Sequence, residues 1–220
     1  RPAGDLPLPA SGADGLAAAR RATAADPPAR AVGVAALNAL SVPHVDWRRG
    51  DPFVSLPAGA DVVTTVGSFG PAFRKFDDAL VRVVERPGVD VDADRAPAGV
   101  AVERYHPGER AAAMDGADVA FVTGATLLYG GLGAYLAAAD AAGVGTVVLV
   151  GATASFLPGP ALDAGATLVA GARVDDVESV RAAVASGACG TDLHDAGLRK
   201  VYVGDDGRSD RERTETEPEP

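Results

Sequence analysis

The sequence predicts an α/β protein built on a doubly wound, mostly parallel sheet. Between residues 61 and 204, short apolar runs alternate with helical stretches, and several of the runs end in glycine. Such runs are typical of strands buried on both faces of a parallel sheet. The clearest unit combines an apolar run at 118–124, a helix reaching Ala142 and a second run at 146–151. A strand, a helix and a strand within roughly 35 residues form a right-handed βαβ unit, so the expected sheet is Rossmann-like.

Shorter elements are expected on either side of this unit. Residues 14–25, rich in Ala and Arg, predict a helix that ends at Asp26-Pro27-Pro28. The apolar segment 31–41 predicts a buried helix, with a short strand at its start as the alternative. Residues 86–100 are rich in Pro, Gly and Asp and predict a loop. Further strands are expected at 61–67, 80–85, 166–171 and 198–204, and further helices at 71–79, 107–114 and 175–186.

These elements divide the chain into three parts. Residues 1–50 predict the remnant of a small N-terminal α+β domain, and residues 51–204 predict the Rossmann-like domain. Residues 205–220 predict a disordered acidic tail. The segment from Gly204 to Pro220 carries seven acidic and three basic residues and no large apolar residue, so it cannot bury enough surface to fold.

The charge of the chain limits its classes of partner. The net charge is −10, and the chain contains only two lysines, Lys75 and Lys200. A nucleic-acid-binding protein needs a basic face, so the acidic composition argues against that class of partner. The acidic composition instead resembles that of proteins from salt-loving microbes, in which carboxylates keep the surface hydrated. No apolar run reaches the roughly 18 residues needed to span a bilayer, so we expect a cytoplasmic protein without a membrane partner. Homo-oligomerisation stays open.

Small and polar residues collect at the predicted carboxyl ends of the strands. Three runs end in glycine and a fourth ends at Glu85. Open α/β sheets bind ligands beyond these ends, where glycine lets a ligand approach the backbone. The alternative is that the glycines only make tight turns. The candidate ligand contacts at this rim are Gly67, Ser68, Glu85, Thr123, Gly124, Thr126 and Gly151.

Two polar residues, Glu85 and Asn38, could contact a ligand or could have a purely structural role. Glu85 could bind a cation, accept a hydrogen bond from a ligand or act as a base, or it could form a salt bridge with Arg82 or Arg86. Asn38 lies inside an apolar segment, and a buried amide must be hydrogen-bonded either to backbone or to a ligand. Both residues are therefore kept as candidate contacts.

Several familiar chemistries have no motif in this chain. GxGxxG does not follow the first strand and GK[ST] is absent, which argues against NAD and P-loop nucleotides. The nucleophile-elbow pattern GxSxG is also absent. The single cysteine, Cys189, excludes a multi-thiolate metal site. The three histidines are far apart in sequence and form no HxxxH or HxH pair. His44-Val45-Asp46 and Cys189 with His194 are suggestive of a metal site, with histidines in plain loops as the alternative. The candidate metal ligands are Glu85 and His44.

Six segments in one order carry a family resemblance: VGVAALNALS, GDPF, VVTTVGSFGPAF, VVERP, DGADVAFVTGATLLYGGLGAYL and VGATASFLPGPALDAGATLVAGARV. Over residues 30–203 the chain resembles the family of prokaryotic proteins described as "putative heavy-metal chelation". That resemblance implies an enolase-N-terminal-like domain, a Rossmann-like domain and a site between them. The implied site residues are Asn38, Gly67, Glu85, Thr123, Gly124 and Thr126. There are two departures: Tyr129 stands where the family usually has Asn, and residues 1–50 are shorter than its N-terminal domain.

The leading functional hypothesis is a binding protein. Its ligand would be a metal ion, with a transition metal as the expected cofactor, or a metal-containing or small anionic molecule at the rim of the sheet. An enzyme of the transferase or lyase class, with an anionic cofactor or a nucleotide-like substrate at the same rim, is the alternative. A scaffold with an unused cleft is the third reading.

Overall fold

The computed structural model describes residues 12–55, 59–91 and 93–204, and its centre is one eight-stranded sheet. The predicted tail at 205–220 lies outside the described residues. The strands are β1 (Arg48–Arg49), β2 (Val62–Val66), β3 (Leu80–Val84), β4 (Ala101–Tyr105), β5 (Val119–Thr123), β6 (Thr146–Val150), β7 (Leu168–Val174) and β8 (Leu198–Gly204).

The sheet is doubly wound, which confirms the predicted fold class. Its strand order is β1-β8-β7-β6-β5-β2-β3-β4, and the pairs from β7 to β4 are all parallel. Read from β4 to β7, these six strands follow the 3-2-1-4-5-6 order of dinucleotide-binding folds. The chain builds outward from β2 in one direction, returns, and builds outward from β5 in the other. This reversal places the ends of β2 and β5 side by side.

The edge beyond β7 differs from the expectation that the last strand closes a parallel sheet. β8 runs antiparallel to β7, and the two-residue β1 pairs antiparallel with β8 and lies outside it. Residues from the N-terminal segment therefore form this edge of the sheet. The sequence pattern could not reveal this pairing, because it shows that a strand is buried and not which way it runs.

Seven α-helices accompany the sheet in the described part of the chain. Ala113 and Met114 in α3, Leu136 in α5 and Ala161 in α6 pack against one face. The other face is covered by 3-10 helices and loops, whose phenylalanines are described below. The helices are α1 (Gly15–Ala19), α2 (Pro27–Ser41), α3 (Arg110–Met114), α4 (Thr126–Tyr129), α5 (Leu132–Ala141), α6 (Gly159–Asp163) and α7 (Val177–Ala185).

Two predicted elements between β2 and α3 are corrected. The helix expected at 71–79 is a 3-10 helix at Gly70–Lys75. Phe73 and Phe76 lie three residues apart and are both fully buried, and a three-residue repeat puts both rings on the sheet. The strand β4, which no apolar run indicated, follows the predicted loop. Most of its side chains are exposed or half-buried because it forms the other edge of the sheet.

The N-terminal helices also differ from the prediction. The first helical stretch comprises α1 and a 3-10 helix at Arg20–Thr23, and Asp26 does not end it but caps α2, accepting from the Ala29 amide at 3.1 Å. α2 is helical from its start, so the strand alternative at that point is wrong. α2 is also not buried on every side: its buried residues are Gly33, Val34 and Ser41. No helix in the described ranges is long and apolar enough to cross a membrane.

Candidate ligand-binding site

The candidate site lies where the strand order reverses. The carboxyl ends of β2 and β5 meet there, and open α/β sheets bind ligands in the crevice at this point. A cavity of about 200 Å³ occupies the crevice. Its lining residues are Val66, Gly67, Ser68, Phe69, Val84, Glu85, Arg86, Pro107, Thr123, Ala125, Thr126, Tyr129, Gly130 and Tyr135.

Gly67 lets the loop after β2 approach the end of β5. Its φ is +95°, a backbone conformation that favours glycine. A β-carbon at this position would lie 3.0 Å from Cγ2 of Thr123. A larger residue would therefore push the two loops apart and open the wall of the cavity.

Glu85 connects the loops that follow β2 and β3. Its Oε2 accepts from the amide of Ser68 at 3.0 Å, and its Oε1 accepts from the amide of Arg86 at 2.8 Å. The carboxylate also lies 3.7 Å from Nε of Arg86, and its side chain is only 11% exposed. Of the two proposed salt-bridge partners, the structure places Arg86 beside Glu85. Arg82 instead donates to the carbonyl of Asp115.

The two threonines at the end of β5 fold their own loop. The Thr123 hydroxyl accepts from the Ala125 amide at 3.2 Å, and the Thr126 hydroxyl donates to the Thr123 carbonyl at 2.7 Å. Because Thr123 is the acceptor in the first bond, that bond does not use its hydroxyl proton. Both residues border the cavity, and Thr123 keeps a donor for a ligand.

An arginine and a tyrosine stack at the cavity across two different loops. The guanidinium carbon of Arg86, after β3, lies 3.9 Å from the ring centroid of Tyr129, at the end of α4. The carbonyl of Arg86 accepts from Arg104 at 3.0 Å, which fixes the backbone from the β4 side. Tyr129 is nevertheless 57% exposed.

Tyr135 of α5 closes the inner side of the cavity. Its side chain is buried, and this burial raises the pKa of its phenol. The Arg110 guanidinium acts in the opposite direction, and the Glu85 carboxylate raises the pKa further. The phenol is therefore protonated at neutral pH and can donate a hydrogen bond inside the cavity.

Asn38, Gly124 and Gly151 do not line this cavity. Nδ2 of Asn38 donates to the carbonyl of Ala152 at 3.0 Å, which attaches α2 to the 3-10 helix Ala152–Ala154. Its Oδ1 is buried without a hydrogen-bond partner among the described residues. A β-carbon on Gly124 would lie 2.4 Å from Oγ1 of Thr153. These residues pack the neighbouring loop, and their role as ligand contacts stays a prediction.

A match to a protein-family model identifies the family of this chain. The family model DUF364, described as "Putative heavy-metal chelation", matches residues 53–203. The chain belongs to this family. The resemblance read from the ordered segments is thereby confirmed. No curated protein matches the sequence.

Two solved DUF364 structures share the fold. A protein of unknown function from Pyrococcus horikoshii has a TM-score of 0.68 at 18% identity, covering 87% of this chain and 74% of that one. A protein of unknown function from Desulfitobacterium hafniense DCB-2 has a TM-score of 0.66 at 16% identity, with the same coverage. At such identities the likeness shows the fold and does not identify a ligand.

The described residues do not bring together a set of donor atoms for a bare heavy-metal ion. No group of three or more His, Cys, Asp or Glu side chains in residues 12–55, 59–91 and 93–204 could hold one. His44 is exposed at the end of the 3-10 helix Val42–His44 and is not a lining residue. Both oxygens of Glu85 already accept backbone N–H groups. The two predicted metal ligands are thus not brought together.

The cavity contains both predicted and unexpected residues. Gly67, Ser68, Glu85, Thr123 and Thr126 were predicted, and the structure brings all five together. The aromatic lining residues and Arg86 were not predicted from the sequence. The position of Arg86, directly after a strand that ends at the rim, was a usable signal. The sequence carried no such signal for Tyr135. This residue lies at the start of α5, and the local sequence does not show which side of the sheet that helix packs on.

Proposed function

We propose that this DUF364 protein binds a small anionic ligand in the cavity between the ends of β2 and β5. The charge arrangement carries the proposal. Glu85 and Arg86 are the two charged lining residues, and the carboxylate of Glu85 is held by two backbone amides. Arg86 forms a long ion pair with Glu85 through Nε at 3.7 Å, and its remaining N–H groups are the charged donors offered to a ligand. Carboxylate and phosphate are the groups that a guanidinium binds best.

Neutral donors in the same cavity favour the same class of ligand. The protonated phenol of Tyr135 and the hydroxyl proton of Thr123 supply hydrogen bonds without adding negative charge. Arg110 lies close enough to Tyr135 to lower the phenol pKa, so a second guanidinium contributes to the local potential. A local excess of donors inside a chain of net charge −10 is what selective anion binding requires.

A metal ion would enter this cavity as cargo already held by an organic anion. This form of the proposal agrees with the family description, because the chelating atoms would come from the ligand. It also agrees with the lack of a three-ligand cluster in the described part of the chain.

Ligand-induced stabilisation tests the proposal. Thermal unfolding is followed with phosphate, citrate or benzoate, and separately with chloride salts of zinc, nickel and cobalt. An anion at about 100 times its Kd should stabilise the protein by about 2.7 kcal/mol, or roughly 5–10 °C in Tm. Zinc, nickel and cobalt alone should give no saturable rise.

A matched pair of variants locates the effect. Ala125→Leu adds bulk to the lining of the cavity, whereas Ala182→Leu makes the same change on the exposed surface of α7. The first should abolish the anion-induced rise in Tm and the second should preserve it. Stoichiometric binding of a bare metal salt, with no anion effect in the parent protein, would contradict the proposal.

A further inference from the structure

We infer that the anionic group of this ligand is carried on a planar aromatic ring, which Arg86 and Tyr129 select. The inference rests on the proposed function and narrows its ligand class from small anions to aromatic acids. Three independent features of the cavity support it: its aromatic lining, the geometry of the stacked pair, and its size.

Aromatic residues are scarce in this chain, yet three of its eleven line the cavity. They make up 5% of the sequence, as one Trp, four Tyr and six Phe. Phe53, Phe73, Phe76 and Phe121 form a ring cluster in the core on the face of the sheet opposite to α5. Three others, Phe69, Tyr129 and Tyr135, line the cavity. Ring faces and edges are thus available there for an aromatic ligand.

The stacked pair provides both a ring face and a charged edge. The guanidinium carbon of Arg86 lies 3.9 Å from the centroid of the Tyr129 ring, so the guanidinium lies over the ring face and can offer its planar N–H fork to a carboxylate. Its nearest carboxylate oxygen lies 3.7 Å from Nε, too far for a hydrogen bond. A carboxylate can therefore bind the guanidinium edge while its attached ring lies against the aromatic lining. Tyr129 is also 57% exposed, so a ligand ring could cover part of its apolar surface.

The size of the cavity sets an upper limit on the ligand. Its volume of about 200 Å³ is below the roughly 300–1,000 Å³ of pockets for drug-sized molecules. One substituted ring fits this space, whereas a dinucleotide does not. An aliphatic polycarboxylate would fit too, but it would leave the ring faces without a planar partner.

Four probes separate the contributions of ring and charge. Benzoate is the test ligand, cyclohexanecarboxylate removes planarity, benzamide removes charge, and citrate is an aliphatic anion. Isothermal titration should give a Kd for benzoate at least 10-fold lower than for cyclohexanecarboxylate or benzamide. Citrate should bind more weakly than benzoate.

Variants of Arg86 and Tyr129 should separate the contribution of the charge to ligand affinity from that of the ring. Tyr129→Leu should remove the preference for benzoate over cyclohexanecarboxylate, and Tyr129→Phe should retain it. Arg86→Lys should weaken both carboxylates about 10-fold, because the ammonium group cannot make the planar two-point contact. Arg48→Lys is the matched control. It removes a guanidinium that stacks at 4.8 Å over Tyr202 at the β1 edge, and it should leave every Kd unchanged.

Each other outcome has a definite meaning. If citrate or cyclohexanecarboxylate binds as tightly as benzoate, the aromatic inference is overturned while the proposed anion site stands. If benzamide matches benzoate, negative charge is not recognised, and both the inference and the proposed anion site are overturned. If no anion binds to protein whose circular dichroism and melting are intact, both proposals are overturned.

Discussion

Two adjacent threonines in β2 should respond in opposite directions to the same substitution. Thr64 and Thr65 are both fully buried. The Thr64 hydroxyl donates to the carbonyl of Ala113 in α3, whereas the Thr65 hydroxyl has no hydrogen-bond partner among the described residues. Substitution by valine keeps the branched β-carbon that suits a strand and removes only the hydroxyl function.

The magnitudes follow from what each hydroxyl does. Thr64→Val loses one hydrogen bond, a net cost of about 0.5–1.5 kcal/mol. The lower half of this range is expected, because Arg82 also reaches the Ala113 carbonyl at 3.4 Å. Thr65→Val removes a buried polar group without a partner, and such a group costs about 1–3 kcal/mol. Thr65→Val should therefore stabilise the protein by about 1 kcal/mol or more.

Urea unfolding measures both effects. A change in midpoint at constant m reports stability alone, and about 1 kcal/mol corresponds to roughly 2–4 °C in Tm for a chain of this length. Thr64→Val should lower the midpoint and Thr65→Val should raise it. If Thr65→Val destabilised the protein as much as Thr64→Val does, the Thr65 hydroxyl would have a partner and the reasoning would be refuted.

Three further changes test other parts of the molecule. Burial alone would raise the pKa of Asp51, but hydrogen bonds from Lys200, Lys75 and the Phe53 amide lower it overall. Since the folded-state pKa is below the unfolded value of about 3.9, the stabilisation is complete above that pH and is lost as pH falls through the folded pKa. Asp51→Asn should therefore cost about 1 kcal/mol at pH 7, with the difference from the parent vanishing in urea titrations at low pH. Glu85→Gln should destabilise the protein by about 1–2 kcal/mol, because the amide nitrogen of Gln faces a backbone N–H, and thermal unfolding checks this. An unchanged Tm would show that Glu85 does not hold the two loops together. Gly124→Ala places a β-carbon 2.4 Å from Oγ1 of Thr153 and should cost about 1–3 kcal/mol in urea unfolding. Adding Thr153→Ala should recover part of that loss, and a double variant no more stable than the single one would exclude the steric cause.

Asp51 is also the shared ion-pair partner of the two lysines of the chain. Lys75 and Lys200, the two lysines of the chain, both contact its carboxylate. They join the segment after β1 to β8 and to the 3-10 helix Gly70–Lys75. The sequence contains only two lysines, but only the fold shows that they share one partner.

The local pattern of the sequence determined most strands and the edge at which the site lies. Apolar runs predicted β2, β3, β5, β6, β7 and β8, and they are most continuous at β2, β5 and β6 because a strand buried on both faces must be apolar on both faces. The edge strand β4 was not predicted, because its side chains are largely exposed and need not be apolar. Glycine and hydroxyl residues after these runs identified the rim, and five of the predicted contacts line the cavity.

Tertiary structure decided which of these ends meet and what each polar group does there. The antiparallel β8, the edge strand β1 and the meeting of β2 with β5 depend on pairings between segments far apart in sequence. The sequence left Glu85 as a ligand contact or a salt-bridge partner, and in the fold its carboxylate accepts from two backbone amides and lies beside Arg86. It left Asn38 bonded to a ligand or to backbone, and in the fold Asn38 donates to the backbone of another loop. The alternation of apolar and polar residues and the position of glycines are local features that can be read directly from a sequence. The contact between Arg86 and Tyr129 depends on the packing of two separate loops, which only the complete fold brings together.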